Sequence, residues 1–181
     1  MLEISCARVI IVGMEKQRRQ NRLSHRLYNE WIFFVTICTQ DKFCYFGSKD
    51  VGDDAKDVGA DTIRLSKCGE IVKECRCNIP TIYDKVSLAD FVIMPNHIHG
   101  ILYLDGGPKA FTKRPYGYLS KVIKWFKWAV QKASNEAWCT SFHRQRSFYD
   151  HIIRNEEDMQ NIQEYIAFNP LKRENDEYYK S

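Results

Sequence analysis

The sequence has no apolar run near the roughly 20 residues that a membrane-crossing helix needs. Its apolar stretch 2–14 is broken by Glu3, Ser5 and Arg8 and lacks a basic leader and a small-residue cleavage site. Neither a membrane anchor nor a secretory signal is therefore expected. There is no internal repeat and no low-complexity tract, which argues against a repeat architecture. No glycine-rich phosphate loop and no G-x-S-x-G occur, so nucleotide hydrolysis and serine-hydrolase chemistry have no support. The seven cysteines are odd in number and scattered, and Cys75-x-Cys77 has no second Cys or His pair at zinc-site spacing. They read as mostly reduced thiols in a cytoplasmic protein.

What is present is a chain of 181 residues, 44% apolar and 28% charged, the composition of one folded domain with short extensions. Net charge is only +4, but its distribution is uneven. Between Gly106 and Asn135 there are seven basic residues (Lys109, Lys113, Arg114, Lys121, Lys124, Lys127, Lys132) and no acidic one, so the remaining residues sum to −3. A second cluster, Lys16, Arg18, Arg19, Arg22 and Arg26, lies near the N-terminus. Such clustering suits a protein with one anion-binding face; a solvated helix face is the plainer reading.

Residues 1–28 read as a polar, Arg-rich arm and 174–181 as a tail, with one domain over 29–173. Residues 31–39 (WIFFVTICT) form a β-branched and aromatic run expected to be a buried strand. The stretch Asp50–Asp61, with five aspartates, reads as a loop or insertion. Helical spacing follows from Leu65 to about Asn78, closed by Pro80. Val86–Met94 and Ile98–Leu104 are strand-like, flank Pro95-Asn96-His97 and read as a hairpin. Tyr118–Ala133 carries apolar residues at 119, 122, 123, 126, 129 and 130, and Lys121, Lys124 and Lys127 are read as lying off that stripe. Phe142–Ile153 is a candidate strand, and Glu156–Phe168 a helix with Asn155 as N-cap that stops before Pro170. This order predicts an α+β, ferredoxin-like fold with helices packed mainly on one face of an antiparallel sheet.

Three groups of residues can carry chemistry. His97 and His99 are i and i+2 on a strand, so both imidazoles face one way and form a half-site for a divalent metal. The alternative is a pair of exposed or locally hydrogen-bonded histidines. Tyr165 and Asn169 are i and i+4 on the last helix, so an amide oxygen could complete a His-His-Asn site beside a phenol. Helix C-capping by Asn169 explains the same residue. The third group is the basic helix with Trp125 and Trp128, together with Arg144, Arg146, Phe148 and Tyr149. Cations interleaved with aromatics suit single-stranded nucleic acid, although core burial accounts for at least one of the tryptophans.

Five segments stand out: Phe34-Val-Thr-Ile-Cys-Thr39, Leu65-Ser-x-x-Gly69-x-Ile-Val72, Phe91-Val-Ile-Met-Pro-Asn-His-Ile-His-Gly-Ile-Leu102, Ser147-Phe-Tyr-Asp-His-Ile-Ile-Arg-Asn-Glu156 and Ile162-Gln-Glu-Tyr-Ile-Ala-Phe-Asn-Pro170. Taken together they resemble the REP-associated tyrosine transposases, a bacterial branch of the single-strand HUH transposases with one catalytic tyrosine. They occur in the family's order between about Tyr28 and Arg173. The acidic loop is longer than usual for the family, and Arg173 stands where an aromatic residue is common.

The resemblance implies a metal-dependent endonuclease and strand transferase that acts beside a single-stranded DNA hairpin, using Mg²⁺ or Mn²⁺. By the same resemblance, His97, His99 and Asn169 would hold the metal and Tyr165 would form a 5′-phosphotyrosine. Arg18, Arg19, Arg22, Lys121, Lys124, Lys127, Arg144 and Arg146 would contact the DNA. The protein would be cytoplasmic, without a membrane partner, and a monomer or homodimer. The competing expectation is a non-catalytic single-stranded nucleic-acid-binding module on the same frame.

Overall fold

The computed structural model describes residues 30–49, 63–105, 115–137 and 145–170. The arm 1–28, the aspartate-rich stretch, Arg144 and the tail lie outside the described residues, and with them the expectations for Arg18, Arg19 and Arg22.

Strand β1 (Glu30–Cys38) is followed by a 3₁₀ turn at Gln40–Lys42 and by a small hairpin of β2 (Gly47–Lys49) and β3 (Ile63–Leu65). Helix α1 (Lys67–Cys77) and a short helix α2 (Ile79–Ile82) lead into β4 (Val86–Ile93), which turns through Pro95 and Asn96 into β5 (His97–Asp105). Helix α3 (Pro115–Glu136), strand β6 (Tyr149–Ile153) and helix α4 (Glu156–Phe168) complete the described chain. β6 is shorter than the expected 142–153 strand, and residues 145–148 run irregularly before it. The β2–β3 hairpin was not foreseen, its strands being three residues each, too short to show a period.

The main sheet is antiparallel with strand order β4-β5-β1-β6. Two β-α-β units, β1-α1-β4 and β5-α3-β6, are interleaved in it, which is the ferredoxin-like arrangement. Ser66 caps α1 by accepting from the Gly69 N–H at 3.2 Å. At Gly69 a Cβ would overlap the carbonyl of Phe46, so only glycine lets the helix approach the loop after β1 this closely.

Strand alternation then divides the core. Phe33, Val35 and Ile37 of β1, with Ile98, Leu102 and Leu104 of β5, pack against Val72 of α1 and Leu119, Val122, Ile123, Phe126 and Val130 of α3. Ile32, Phe34 and Ile101 point the other way and pack with Ile153 of β6 and Met159 and Ile166 of α4. Two long helices thus cover one face, as expected, and α4 lies on the opposite one. Among the described residues no helix is long and apolar enough to cross a membrane. Cys38, Cys44, Cys68 and Cys75 lie outside any disulfide, in keeping with mostly reduced thiols, whereas Cys77 is disulfide-bonded.

Candidate active site

Polar side chains buried in an apolar sheet require hydrogen-bond partners. On the α4 face the register supplies them. Thr36 is the direct cross-strand partner of His99 and Cys38 that of His97, so all four share a face. The Thr36 hydroxyl lies 2.8 Å from His99 Nδ1, and the Asn96 amide oxygen lies 2.7 Å from His97 Nδ1. Asn96 is itself oriented, because its Nδ2 donates to the Lys42 carbonyl at 3.2 Å. That bond turns the amide oxygen, an acceptor only, toward His97. In its neutral form His97 therefore carries the proton on Nδ1 and the lone pair on Nε2. Thr39 closes the arrangement: its one hydroxyl proton lies between the Phe43 and Asn96 carbonyls, 2.7 and 3.0 Å from the hydroxyl oxygen. The two imidazole rings lie 4.5 Å apart between centroids, and both residues are almost wholly buried. Neither Thr36 nor Asn96 was assigned a role from sequence. The signal was available, since Thr36 interrupts an apolar strand and Asn96 directly precedes the first histidine.

Helix α4 brings the phenol to this pair. Its start is set by Asn155, whose side chain accepts from the Asp158 N–H at 2.8 Å, and by an Asp158–His151 contact of 2.9 Å back to β6. Met159 and Ile166 bury the inner stripe. Gln163 Nε2 donates to Asp90 Oδ2 at 2.6 Å, tying the helix to the edge strand β4 at a bulge between Leu88 and Phe91. Arg76 supports that bulge from the other face: its guanidinium donates to the Ala89 carbonyl and stacks 3.9 Å over the Phe91 ring. Burial pulls the Arg76 group down to about 10, an effect that nearby Asp90 opposes.

With α4 so placed, the Tyr165 hydroxyl lies 3.2 Å from His99 Nε2, and its ring meets those of His99 and Phe34 edge-on at 5.0 and 6.0 Å. Tyr165 remains 39% exposed, so the phenol is both held and accessible. Asn169 is the C-cap, still in helical conformation, one turn beyond Tyr165 on the same face, and it is buried. The Oδ1 atom of Asn169 and the Nε2 atom of His97 are buried atoms outside any hydrogen bond among the described residues. No cluster of three His, Cys, Asp or Glu residues occurs among the described residues, and the buried amide oxygen of Asn169 is the donor that α4 offers on this face.

The basic residues separate into two groups. Lys121 and Lys124 are exposed on the outer surface of α3, on the side of the sheet opposite His97 and His99. Arg146 is exposed in the segment before β6, where the Gln145 N–H donates to Cys38 O at 3.3 Å beside the histidine end of the sheet. Lys127 corrects the expectation of a DNA contact. It is 5% exposed, and its ammonium donates to the Gln145 carbonyl at 3.0 Å and to the Ser147 carbonyl. The reason is helical geometry: position 127 follows Ile123 by four residues and precedes Val130 by three, which puts it within the buried stripe. Trp125 is half-buried against Tyr83, while Trp128 is exposed with Lys132 5.4 Å above its ring.

Fold and site together define a ferredoxin-like domain in which a strand-borne histidine pair meets a helix-borne tyrosine. No family model matches the sequence. The chain is 32% identical over 182 residues to an uncharacterised protein of Haemophilus influenzae, spanning 90% of this chain and 93% of that one, and it belongs to the same family as that protein. Its neighbours among solved structures include a REP-associated tyrosine transposase bound to a REP hairpin (19% identity, 88% of this chain, 74% of the other, TM-score 0.49). Another is a candidate transposase of Deinococcus radiodurans (16% identity, 85% of this chain, 96% of the other, TM-score 0.43).

Proposed function

We propose that the protein is a single-strand DNA transposase of the HUH type, which cuts and rejoins a strand beside a hairpin through Tyr165. The observation that carries this reading is the Tyr165 hydroxyl 3.2 Å from His99 Nε2, with His97 on the same face. His99 already has Thr36 at its Nδ1, and Tyr165 is 39% exposed, so the phenol is held beside the histidine pair yet open to an incoming strand.

In the reaction, the Tyr165 oxygen attacks the phosphorus in line. A phosphorus–tyrosine bond forms, the bond to the 3′ oxygen breaks, the phenolic proton passes to water, and the departing 3′ oxygen takes up a proton. The phosphotyrosine keeps the phosphodiester energy, so the 3′-hydroxyl of another strand can reverse the step without a nucleotide cofactor. The family resemblance and the donor chemistry both favour a divalent cation held by His97, His99 and Asn169. Two imidazoles and an amide oxygen form a mixed nitrogen and oxygen set, and both histidines have their Nδ1 atoms engaged by Asn96 and Thr36, as metal-ligating histidines usually do. When bound, Mg²⁺ or Mn²⁺ supplies electrostatic stabilisation of the charge that builds on the phosphate oxygens.

Thr36 and Asn96 fix which nitrogen each ring presents, and Phe34 holds the His99 and Tyr165 rings against the sheet. The reading carries with it a cytoplasmic location, where the chain meets DNA.

The test is to incubate the protein with labelled single-stranded hairpin DNA and Mn²⁺ and look for an SDS-resistant adduct. Tyr165→Phe is expected to abolish the adduct while hairpin binding stays within a few-fold; His97→Ala is expected to remove metal-dependent cleavage. Binding without an adduct on any hairpin would favour the non-catalytic binding module.

A further inference from the structure

Strand β6 reaches the catalytic face at Tyr149. In the sheet, Thr36 is flanked by His99 on one side and by Tyr149 on the other. Directly paired residues of antiparallel strands point to the same face. Tyr149 therefore stands two strands, roughly 10 Å, from His99 on one continuous surface. It is 54% exposed. The other residues that β6 turns to this face are already occupied: Ile153 is in the core and His151 contacts Asp158.

The backbone leading into Tyr149 is held by a buried charge. Lys127 binds the carbonyls of Gln145 and Ser147, and its ammonium lies 5.8 Å from the centre of the Phe148 ring. A buried ammonium is tolerated where such bonds offset its desolvation. Here the bonds fix residues 145–148, with Arg146 exposed among them, along the end of β1 whose Cys38 pairs with His97. The result is an exposed aromatic residue at the start of β6, three residues after an exposed arginine, on a held backbone beside the proposed reaction centre. An aromatic face stacks on any unpaired base, and an adjacent cation tracks the strand's phosphates.

We propose that Tyr149 is a stacking platform for an unpaired base of the single strand that adjoins the reacting phosphate, with Arg146 on the backbone of the same strand. This rests on the single-strand DNA reading above and adds a subsite to it. Tyr149 contributes its ring and not its hydroxyl, so no covalent step involves it.

The test uses the full chain and an oligo-dT strand carrying one 2-aminopurine, moved from position to position. In the wild type, fluorescence is expected to be quenched at one position. Tyr149→Ala is expected to remove that quenching and to weaken binding about ten-fold, the size of a lost base–aromatic stack. The slope of log affinity against log salt should stay unchanged, because stacking releases no counterions. Tyr149→Trp should retain both quenching and affinity, which a residue needed only for folding would not predict. Arg146→Ala should keep the quenching and reduce the salt slope by about one. Equal binding by Tyr149→Ala and wild type, or quenching that survives Tyr149→Ala, overturns the platform alone. A wild type that binds no single strand overturns both the platform and the single-strand DNA reading.

Discussion

The two faces of the four-stranded sheet are made from alternate residues of the same strands, yet they are built differently. The face under α1 and α3 is almost entirely aliphatic and aromatic, with Phe33, Val35, Ile37, Leu102 and Leu104 at its centre. The face under α4 sets Thr36, His97 and His99 among Ile32, Phe34 and Ile101. A period of two thus lets one strand build an apolar core on one side and the candidate site on the other. The division also reaches the surface: Lys121 and Lys124 lie beyond the apolar face, whereas Arg146 and Tyr149 lie with the histidines. Any DNA that touches all of them must wrap around an edge of the domain.

The contrast can be broken most severely from the apolar side. Phe33→Ala removes a fully buried ring and is expected to destabilise the fold by about 3–5 kcal/mol, measured by denaturant unfolding. Activity at a temperature where the variant is folded should be nearly normal. On the polar face the balance reverses. Thr36→Val keeps the shape but withdraws the hydroxyl from His99 Nδ1, and should lower adduct formation about 10–100-fold while the melting temperature changes little. The smallest expected effect separates two lysines of α3. Lys124→Ala should reduce the salt slope of DNA binding by about one without changing stability. Lys127→Met should leave the salt slope unchanged and lower the melting temperature, because two carbonyls lose their partner.

These same residues show how much was legible in advance. The extent of α4 was marked by Asn155 before it and Pro170 after it, and the hairpin by two apolar runs on either side of Pro95-Asn96. Local chemistry sets such boundaries, so a single sequence displays them. The pairing of His97 with His99 also follows from strand alternation alone. Lys127 shows the opposite case: its charge suggested solvent, but its helical position lies inside the apolar stripe, and burial became possible only because residues 145–148 offer two carbonyls. Those carbonyls are 18 and 20 residues away in sequence, and nothing local announces them. The hydrogen bond between Thr36 and His99, across 63 residues, was illegible for the same reason. Cross-strand register is a property of the assembled sheet.

The most direct test of the central claim is to digest the covalent DNA–protein product and locate the modified residue by mass spectrometry. The account predicts a single nucleotide-bearing peptide, the one containing Tyr165, with Tyr149 unmodified. A nucleotide found on Tyr149 or on any other residue would contradict it.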